Sequence, residues 1–377
     1  MSIPVIRVSG DASSRGRAYG EQARDRIHAS IEAYGRVFAH YATWDWARVT
    51  EEALRFVPAL SDFDPSQVDE IQGIADGAAV DFADVLAINV RTEIMFAAKV
   101  RAVEATLPRM GECSSFAVAA DDGTTYLGQN WDWLVHAFDT VVRLEVTPDR
   151  GPAYVTVVEA GLLCKFGMNS AGLAVGCNAL VNSLDRGEPG VPFHSVLRAL
   201  ISCSTPAEAL STVQSRFRSS SANYLVAHHS GLAIDMECEA GDMTRIHLIQ
   251  PDERGVILHT NHFVSGDLHG TDVGLWNFPD SPFRLQRLQR ALRRSPHAAP
   301  PTWFTEAAAD HAGHPYGVCC HPDSAAPLEE QGATVVSTVM DLSSGVMSLW
   351  DGYPCSAVRE DLDLSSAWGE SGVWAGR

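Results

Sequence analysis

The stretch Gly111-Glu112-Cys113-Ser114-Ser115-Phe116-Ala117-Val118, running on to Gly128-Gln129-Asn130-Trp131-Asp132-Trp133, decides the fold. Residues 114–120 alternate small polar with apolar side chains, and Thr124 to Gln129 do so loosely. Asp122-Gly123 lies between them, and that dipeptide is the strongest short hairpin signal a sequence offers. A loop of two or four residues sets Cys113 directly opposite Asp132, with Cβ atoms about 5 Å apart. Asn130 and Asp132, two apart on a strand, then project from one face. Thiol chemistry needs a thiolate, a base and donors for an oxyanion. The hairpin supplies the sulfur and a carboxylate able to orient a base. Cutting the Glu112–Cys113 bond would supply the base itself, because an α-amine titrates near pH 8, roughly. On hairpin geometry alone, a buried unreactive cysteine is the simpler reading.

Working outward, the 377-residue chain is long enough for one large domain or two. Hydrophobic content of 46% with 20% charged residues is that of an ordinary globular protein. A net charge of −19 argues against nucleic acid or an anionic membrane as partner. The opening Ile3-Pro4-Val5-Ile6 is soon followed by Arg15, Arg17 and Arg24, which does not read as a leader. No apolar run has the roughly 18 residues needed to span a bilayer. Eight cysteines scattered through apolar segments fit reduced thiols in the cytoplasm better than a disulfide framework.

Along the chain, residues 1–10 read as a strand and Arg15 to Ala42 as a long helix. Further helices are expected at 47–58, at 65–78 with Asp64 as cap and Pro65 in the first turn, and at 81–100. Strand patterns begin at Cys113: 114–120, 124–130, 139–147, 153–159, then a strand–turn–strand over Lys165 to Gly176. Helices follow at 192–203 and from Thr205, a capping-box arrangement with Glu208. Strands return at 222–228, 232–238, 244–248 and 255–259. Helices at 281–294 (Ser281 capping) and 302–310 precede closing strands 333–341 and 346–351. Alternating β pairs and helix pairs suit two stacked sheets covered by helices on both outer faces.

Gly111 to Phe116 followed by Gly-Gln-Asn-Trp-Asp at 128–132 resembles the nucleophile segment of the acyl-CoA:isopenicillin N (6-aminopenicillanate) acyltransferase family. That family comprises self-cleaving N-terminal-nucleophile (Ntn) hydrolases. The resemblance implies an α+β, four-layer αββα sandwich, the Ntn hydrolase fold, with a mainly helical N-terminal segment. It implies that residues 1–112 become an α chain that stays bound and 113–377 a β chain forming most of the catalytic core. Cys113 is then the nucleophile, Asp132 the orienting carboxylate and Asn261, in Thr260-Asn261-His262, the oxyanion donor. Ser115 matches a hydroxyl residue two after the family's nucleophile, which either polarises the scissile carbonyl or positions substrate.

Two departures stand out. A family arginine just before the Gly-Ala-Thr of the penultimate strand is matched by Gln331, leaving Arg143 as the alternative cationic partner for Asp132. Glu112 replaces a glycine at the cleaved position. The expected activity is an autoproteolytic cysteine acyltransferase/amidohydrolase acting on the N-acyl bond of a small molecule or peptide. Its alternatives are a hydrolase of small N-acyl or β-alanyl amides without transferase activity, and a non-cleaving Ntn-like binding protein. No cofactor is expected beyond acyl-CoA as a co-substrate. The partners are a small-molecule amide or amine and the chain's own cleavage products.

The densest polar cluster, His311, His314, Cys319, Cys320 and His321, invites a zinc reading. No Cys-x₂-Cys pair is present, however, and adjacent Cys319 and Cys320 point apart in extended backbone. The family carries a similar loop without a metal, so none is expected, and the loop is read as structural or pocket-lining. Gly167-x-Asn169-x-x-Gly172 falls in a hairpin and is not a phosphate loop.

Overall fold

A computed structural model describes residues 3–95, 113–119, 123–294, 300–369 and 372–374. Glu112, the loop residues 120–122, the end of the helix expected at 81–100 and most of the 296–301 loop lie outside the described residues. In chain order the strands are β1 (Val5–Gly10), β2 (Ser114–Ala119), β3 (Thr125–Leu134), β4 (Val141–Pro148), β5 (Tyr154–Glu159), β6 (Phe166–Asn169) and β7 (Leu173–Ala179). They continue as β8 (Ala222–His228), β9 (Leu232–Cys238), β10 (Ile246–Ile249), β11 (Val256–His259), β12 (Gly332–Asp341), β13 (Val346–Asp351) and β14 (Arg359–Asp363).

Among the described residues these strands form two sheets, ordered β1-β4-β5-β6-β7-β8-β9-β10 and β11-β2-β3-β12-β13-β14. Phe116, Val118 and Trp350 turn from the second sheet into a cluster with Leu288, Leu292, Trp303 and Phe304 of the helices Ser281–Arg294 and Pro300–Ala308. Their alternate neighbours Ala117, Leu127 and Trp131 join the core that holds the first sheet. Helix Ala12–Ala42 runs against β1 and β4, and helix Pro206–Gln214 against β8 and β9. The architecture is the expected αββα sandwich with a helical N-terminal segment.

That segment is built into the core. Strand β1 pairs in parallel with β4, as the edge of the larger sheet. Asp11 caps the long helix by accepting from the Ser14 N–H at 2.8 Å. The helix lies backbone to backbone on helix Pro65–Ala78, where a Cβ at Gly16 would come within 2.1 Å of the Glu70 carbonyl and one at Gly77 within 2.2 Å of that of Arg17. Only glycine permits this approach. Ile27, Tyr34 and Phe38 are buried, and each such side chain contributes about 1.5–3 kcal/mol by leaving water. The Tyr34 hydroxyl also donates to Glu159 at 2.7 Å and accepts from Trp133 Nε1 at 2.8 Å.

Most expected elements appear within a few residues of their expected bounds. The helix expected at 47–58 is instead two, Trp46–Leu54 and Val57–Phe63, with Pro58 in the first turn of the second. Strand β14 and the helix Leu364–Trp368 lack a sequence expectation, since the charged run Arg359-Glu360-Asp361 hides an edge strand. The hairpin register needs correction. Ser114 pairs with Asn130 and Ala119 with Thr125, one residue away from the register that places Cys113 opposite Asp132. A loop with an odd number of residues produces this slip. A one-residue shift moves every side chain to the other face. Cys113, just ahead of β2, therefore falls level with Trp131.

Candidate active site

The site is assembled at the start of β2, where three elements converge on Cys113. Cys113 is 4% exposed, in the same buried cluster as Trp131. Its thiol is pushed up to about 12, chiefly by burial. The nearby Lys165 cation, and a hydrogen bond from the Asp132 backbone N–H to the sulfur, act in the opposite direction. So Asp132 meets Cys113 first through its main chain.

The Cys113 carbonyl is clamped from two sides. Arg284 Nη1 donates to it at 2.9 Å and Asn178 Nδ2 at 3.1 Å. Ser115 Oγ donates to Asn178 Oδ1 at 2.6 Å, which fixes the orientation of that amide. Arg284 is 1% exposed. Besides the carbonyl it reaches Ser114 Oγ at 3.1 Å, Asn261 Oδ1 at 3.0 Å and, through Nε, Asp280 at 2.7 Å.

Asn261 follows β11 directly, as the sequence indicated. Its N–H donates to Ser281 Oγ at 2.7 Å and its Nδ2 to the Ala179 carbonyl at 3.0 Å. With Arg284 on Oδ1, the side-chain amide is held with its nitrogen turned away from the guanidinium. His262 bonds locally, its Nδ1 lying 2.8 Å from Ser281 Oγ. Burial lowers it to about 4, so it stays neutral at physiological pH.

The Asp132 side chain lies on the face of Ser114, Phe116 and Asn130. Oδ1 accepts from Thr334 Oγ1 at 2.5 Å, and Thr334 Oγ1 accepts in turn from the Cys320 N–H at 2.9 Å. Oδ2 is buried and has no hydrogen-bond partner among the described residues. Burial raises the carboxyl to about 8, with Arg284 pulling the other way. Arg284 therefore takes the place considered for Arg143. Arg143 lies on β4 of the other sheet, where it pairs with Glu145 at 3.1 Å and Glu360 at 3.0 Å. Gln331 Nε2 donates to the Ala326 carbonyl.

Asn130 holds layers together. Its Nδ2 reaches the carbonyls of Ala308 and Val318, at 3.1 and 2.8 Å, and its Oδ1 accepts from Ser337 at 2.6 Å. Thus Cys113, Ser115 and Asn261 share one network, Asp132 and Asn130 border it, and Arg143 stands apart. Sequence reading missed Arg284, Asn178, Thr334 and Lys165. Lys165 Nζ lies 4.8 Å from the Trp131 ring centroid and 5.1 Å from that of Trp133. Arg284 gives no local signal, because it belongs to a helix carrying Arg287, Arg290, Arg293 and Arg294 that reads as a solvated face.

A facing pair of sheets between helical layers is the four-layer architecture of the Ntn-hydrolase fold. The model of the family described as acyl-coenzyme A:6-aminopenicillanic acid acyl-transferase matches residues 118–352, more than half of the chain, and the chain belongs to that family. The acyl-coenzyme A:6-aminopenicillanic-acid-acyltransferase 40 kDa form of Emericella nidulans is 28% identical over 290 residues, 76% of each chain. Among solved structures, a mutant conjugated bile acid hydrolase from Clostridium perfringens aligns with a TM-score of 0.46 at 14% identity, covering 67% of this chain and 93% of the other. A penicillin V acylase from Agrobacterium tumefaciens aligns at 0.43 and 13%, covering 70% and 89%. Among the described residues no helix is long and apolar enough to cross a membrane.

Proposed function

We propose that the protein is a cysteine acyltransferase/amidohydrolase that matures by cutting its own chain before Cys113. The thiol attacks the Glu112 carbonyl, the acyl group passes from nitrogen to sulfur, and water hydrolyses the thioester. The products are an α chain, 1–112, and a β chain, 113–377. Strand β1 and the buried face of helix Ala12–Ala42 would keep the α chain attached, as a heterodimer of the cleavage products.

In the mature enzyme the free amine of Cys113 takes the thiol proton, and the thiolate adds to a substrate acyl carbonyl. Asn261 and a backbone N–H receive the oxyanion. The thioacyl enzyme is then resolved by water or by an amine. The family relationship and the acyl-transfer names of its members support an N-acyl amide or acyl donor, including acyl-CoA, as substrate; no further cofactor is required.

One observation carries this reading: among the described residues, the buried Oδ2 of Asp132 has no hydrogen-bond partner. Buried polar atoms are nearly always hydrogen-bonded, and a buried carboxylate is costly without a donor or cation. An ammonium created at Cys113 would provide the missing donor and a second positive charge beside that of Arg284, lowering the Asp132 carboxyl and fixing the amine that serves as base. N-terminal sequencing and denaturing mass analysis of the purified protein test it. Two fragments are expected, the second beginning Cys113-Ser114-Ser115. A single intact chain that turns over amides would overturn the proposal.

A further inference from the structure

The loop between helix Pro300–Ala308 and β12 and the turn after β13 meet in a group that the acyl-transfer chemistry does not use. His311, Cys319, His321 and Cys355 each offer one ligating atom, and the four atoms lie within 4.8 Å of one another. His321 Nε2 is 3.1 Å from His311 Nε2, 3.4 Å from Cys319 Sγ and 3.6 Å from Cys355 Sγ. A single imidazole nitrogen carries one proton or one lone pair, so it can satisfy one of these contacts as a hydrogen bond and not three.

A metal ion at the centre satisfies all of them. With Zn–N near 2.0–2.1 Å and Zn–S near 2.3 Å, the edges of a tetrahedral site are about 3.3 Å for N–N and about 3.6 Å for N–S. The three distances fall close to those edges. The neighbours orient the ligands. The His321 ring stacks on Tyr353 at 4.3 Å between centroids. Cys320, adjacent in sequence, turns its sulfur toward the Gly332 carbonyl at 3.6 Å and does not join the group. The absence of a Cys-x₂-Cys pair counts for less once Cys355, 34 residues beyond His321, completes the set.

We propose that these four side chains form a structural zinc site. Two neutral imidazoles and two thiolates suit a borderline-soft divalent ion, whereas calcium and magnesium take oxygen ligands. Zn²⁺ displaces one proton from each thiol, so two protons are released and the bound site carries no net charge. Four protein ligands leave no open position, so the metal fastens structure and activates no water.

What it fastens is the loop behind Asp132. The Cys320 N–H donates to Thr334 Oγ1, whose hydroxyl donates to Asp132 Oδ1, and the Val318 carbonyl accepts from Asn130. The zinc assignment stands whether or not the chain cuts itself, since it rests on a separate group of ligands.

The test is metal content. Untagged protein is purified under reducing conditions with zinc supplied, desalted, and analysed by inductively coupled plasma mass spectrometry. About one zinc per chain is expected for the native protein and for Cys320→Ser, and none for Cys319→Ser/Cys355→Ser. Cobalt added to zinc-stripped native protein should give a thiolate-to-cobalt charge-transfer band and the visible bands of tetrahedral coordination, both absent from the double variant. Native protein without stoichiometric metal after zinc dialysis would overturn the proposal. So would a Cys319–Cys355 disulfide persisting in reductant, or zinc retained by a folded double variant. If the double variant does not fold, the native zinc content and cobalt spectrum decide alone.

Discussion

The two faces of the β2–β3 hairpin make different environments for the same residue. The face toward helices Ser281–Arg294 and Pro300–Ala308 carries Ser114, Asn130 and Asp132, with Arg284 and Thr334 on them. The face toward the other sheet carries Ser115, Gln129 and Trp131, bonded or packed to Asn178, Cys177 and Phe166. Charge is concentrated on the first face, while on the second Lys165 lies over aromatic rings. The backbone of Cys113 belongs to both, since Arg284 and Asn178 grip its carbonyl from opposite sides. The proposed nucleophile and its carboxylate therefore need not share a face. The two meet through the Asp132 backbone N–H on the Cys113 sulfur, so the proposed amine base would arise between the two faces.

Removing the sulfur should have the largest effect. Cys113→Ala should abolish scission and all turnover, leaving one chain of full length by mass. Two fragments from that variant would place the nucleophile elsewhere. Next in size is Arg284→Met, which strips the charged face of its cation. It leaves Asp132 buried and Asp280 half-buried without that cation, and such breakage costs about 3–5 kcal/mol once Asp132 is ionised, above about pH 8. Chemical denaturation should show a loss of that order, with scission slowed as the Cys113 carbonyl loses a donor. Unchanged stability would mean that the guanidinium does not balance Asp132.

This arginine also marks the limit of what the sequence revealed. The layer order was legible because periodicity switches at Cys113 and helix pairs alternate with strand pairs. Cys113 and Asn261 were legible because each sits at a strand terminus inside a distinctive motif. The cation for Asp132 was not, because Arg284 comes from a helix far along the chain and its neighbours resemble a solvent-facing charge run. The register is hidden for a related reason: Asp122-Gly123 announces a turn but not the parity of the loop. Cys355 lay too far from the histidines for spacing to suggest a metal ligand.

A third experiment sharpens the contrast through pH. Burial raises the folded Asp132 carboxyl to about 8, whereas it ionises near 4 when unfolded, roughly. Between these values the folded, uncut chain binds more protons than the unfolded one. The stabilising contribution is therefore complete below about pH 4 and is lost as pH rises to about 8. In the uncleaved Cys113→Ala background, adding Asp132→Asn removes this dependence. The double variant should gain stability relative to the single one between about pH 5 and pH 8, by at most about 1.4 kcal/mol per pH unit. Parallel denaturation midpoints across that range would show that Asp132 is ionised throughout.

The smaller effects belong to the face between the sheets. Lys165 lowers the Cys113 thiol while burial lowers Lys165 itself. Lys165→Met should therefore slow alkylation of Cys113, and scission with it, by about tenfold, or about 1.4 kcal/mol. A rate unchanged in both assays would separate the lysine from the sulfur. Ser115→Ala should be milder still. It removes the donor to Asn178 Oδ1, but Asn223 Nδ2 also reaches that oxygen, at 3.2 Å. One hydrogen bond of this kind is worth about 1 kcal/mol, so scission should persist with a rate several-fold lower. Complete loss of scission would instead give the Ser115 hydroxyl a direct part in polarising the scissile carbonyl, and would move the catalytic boundary onto the face between the sheets.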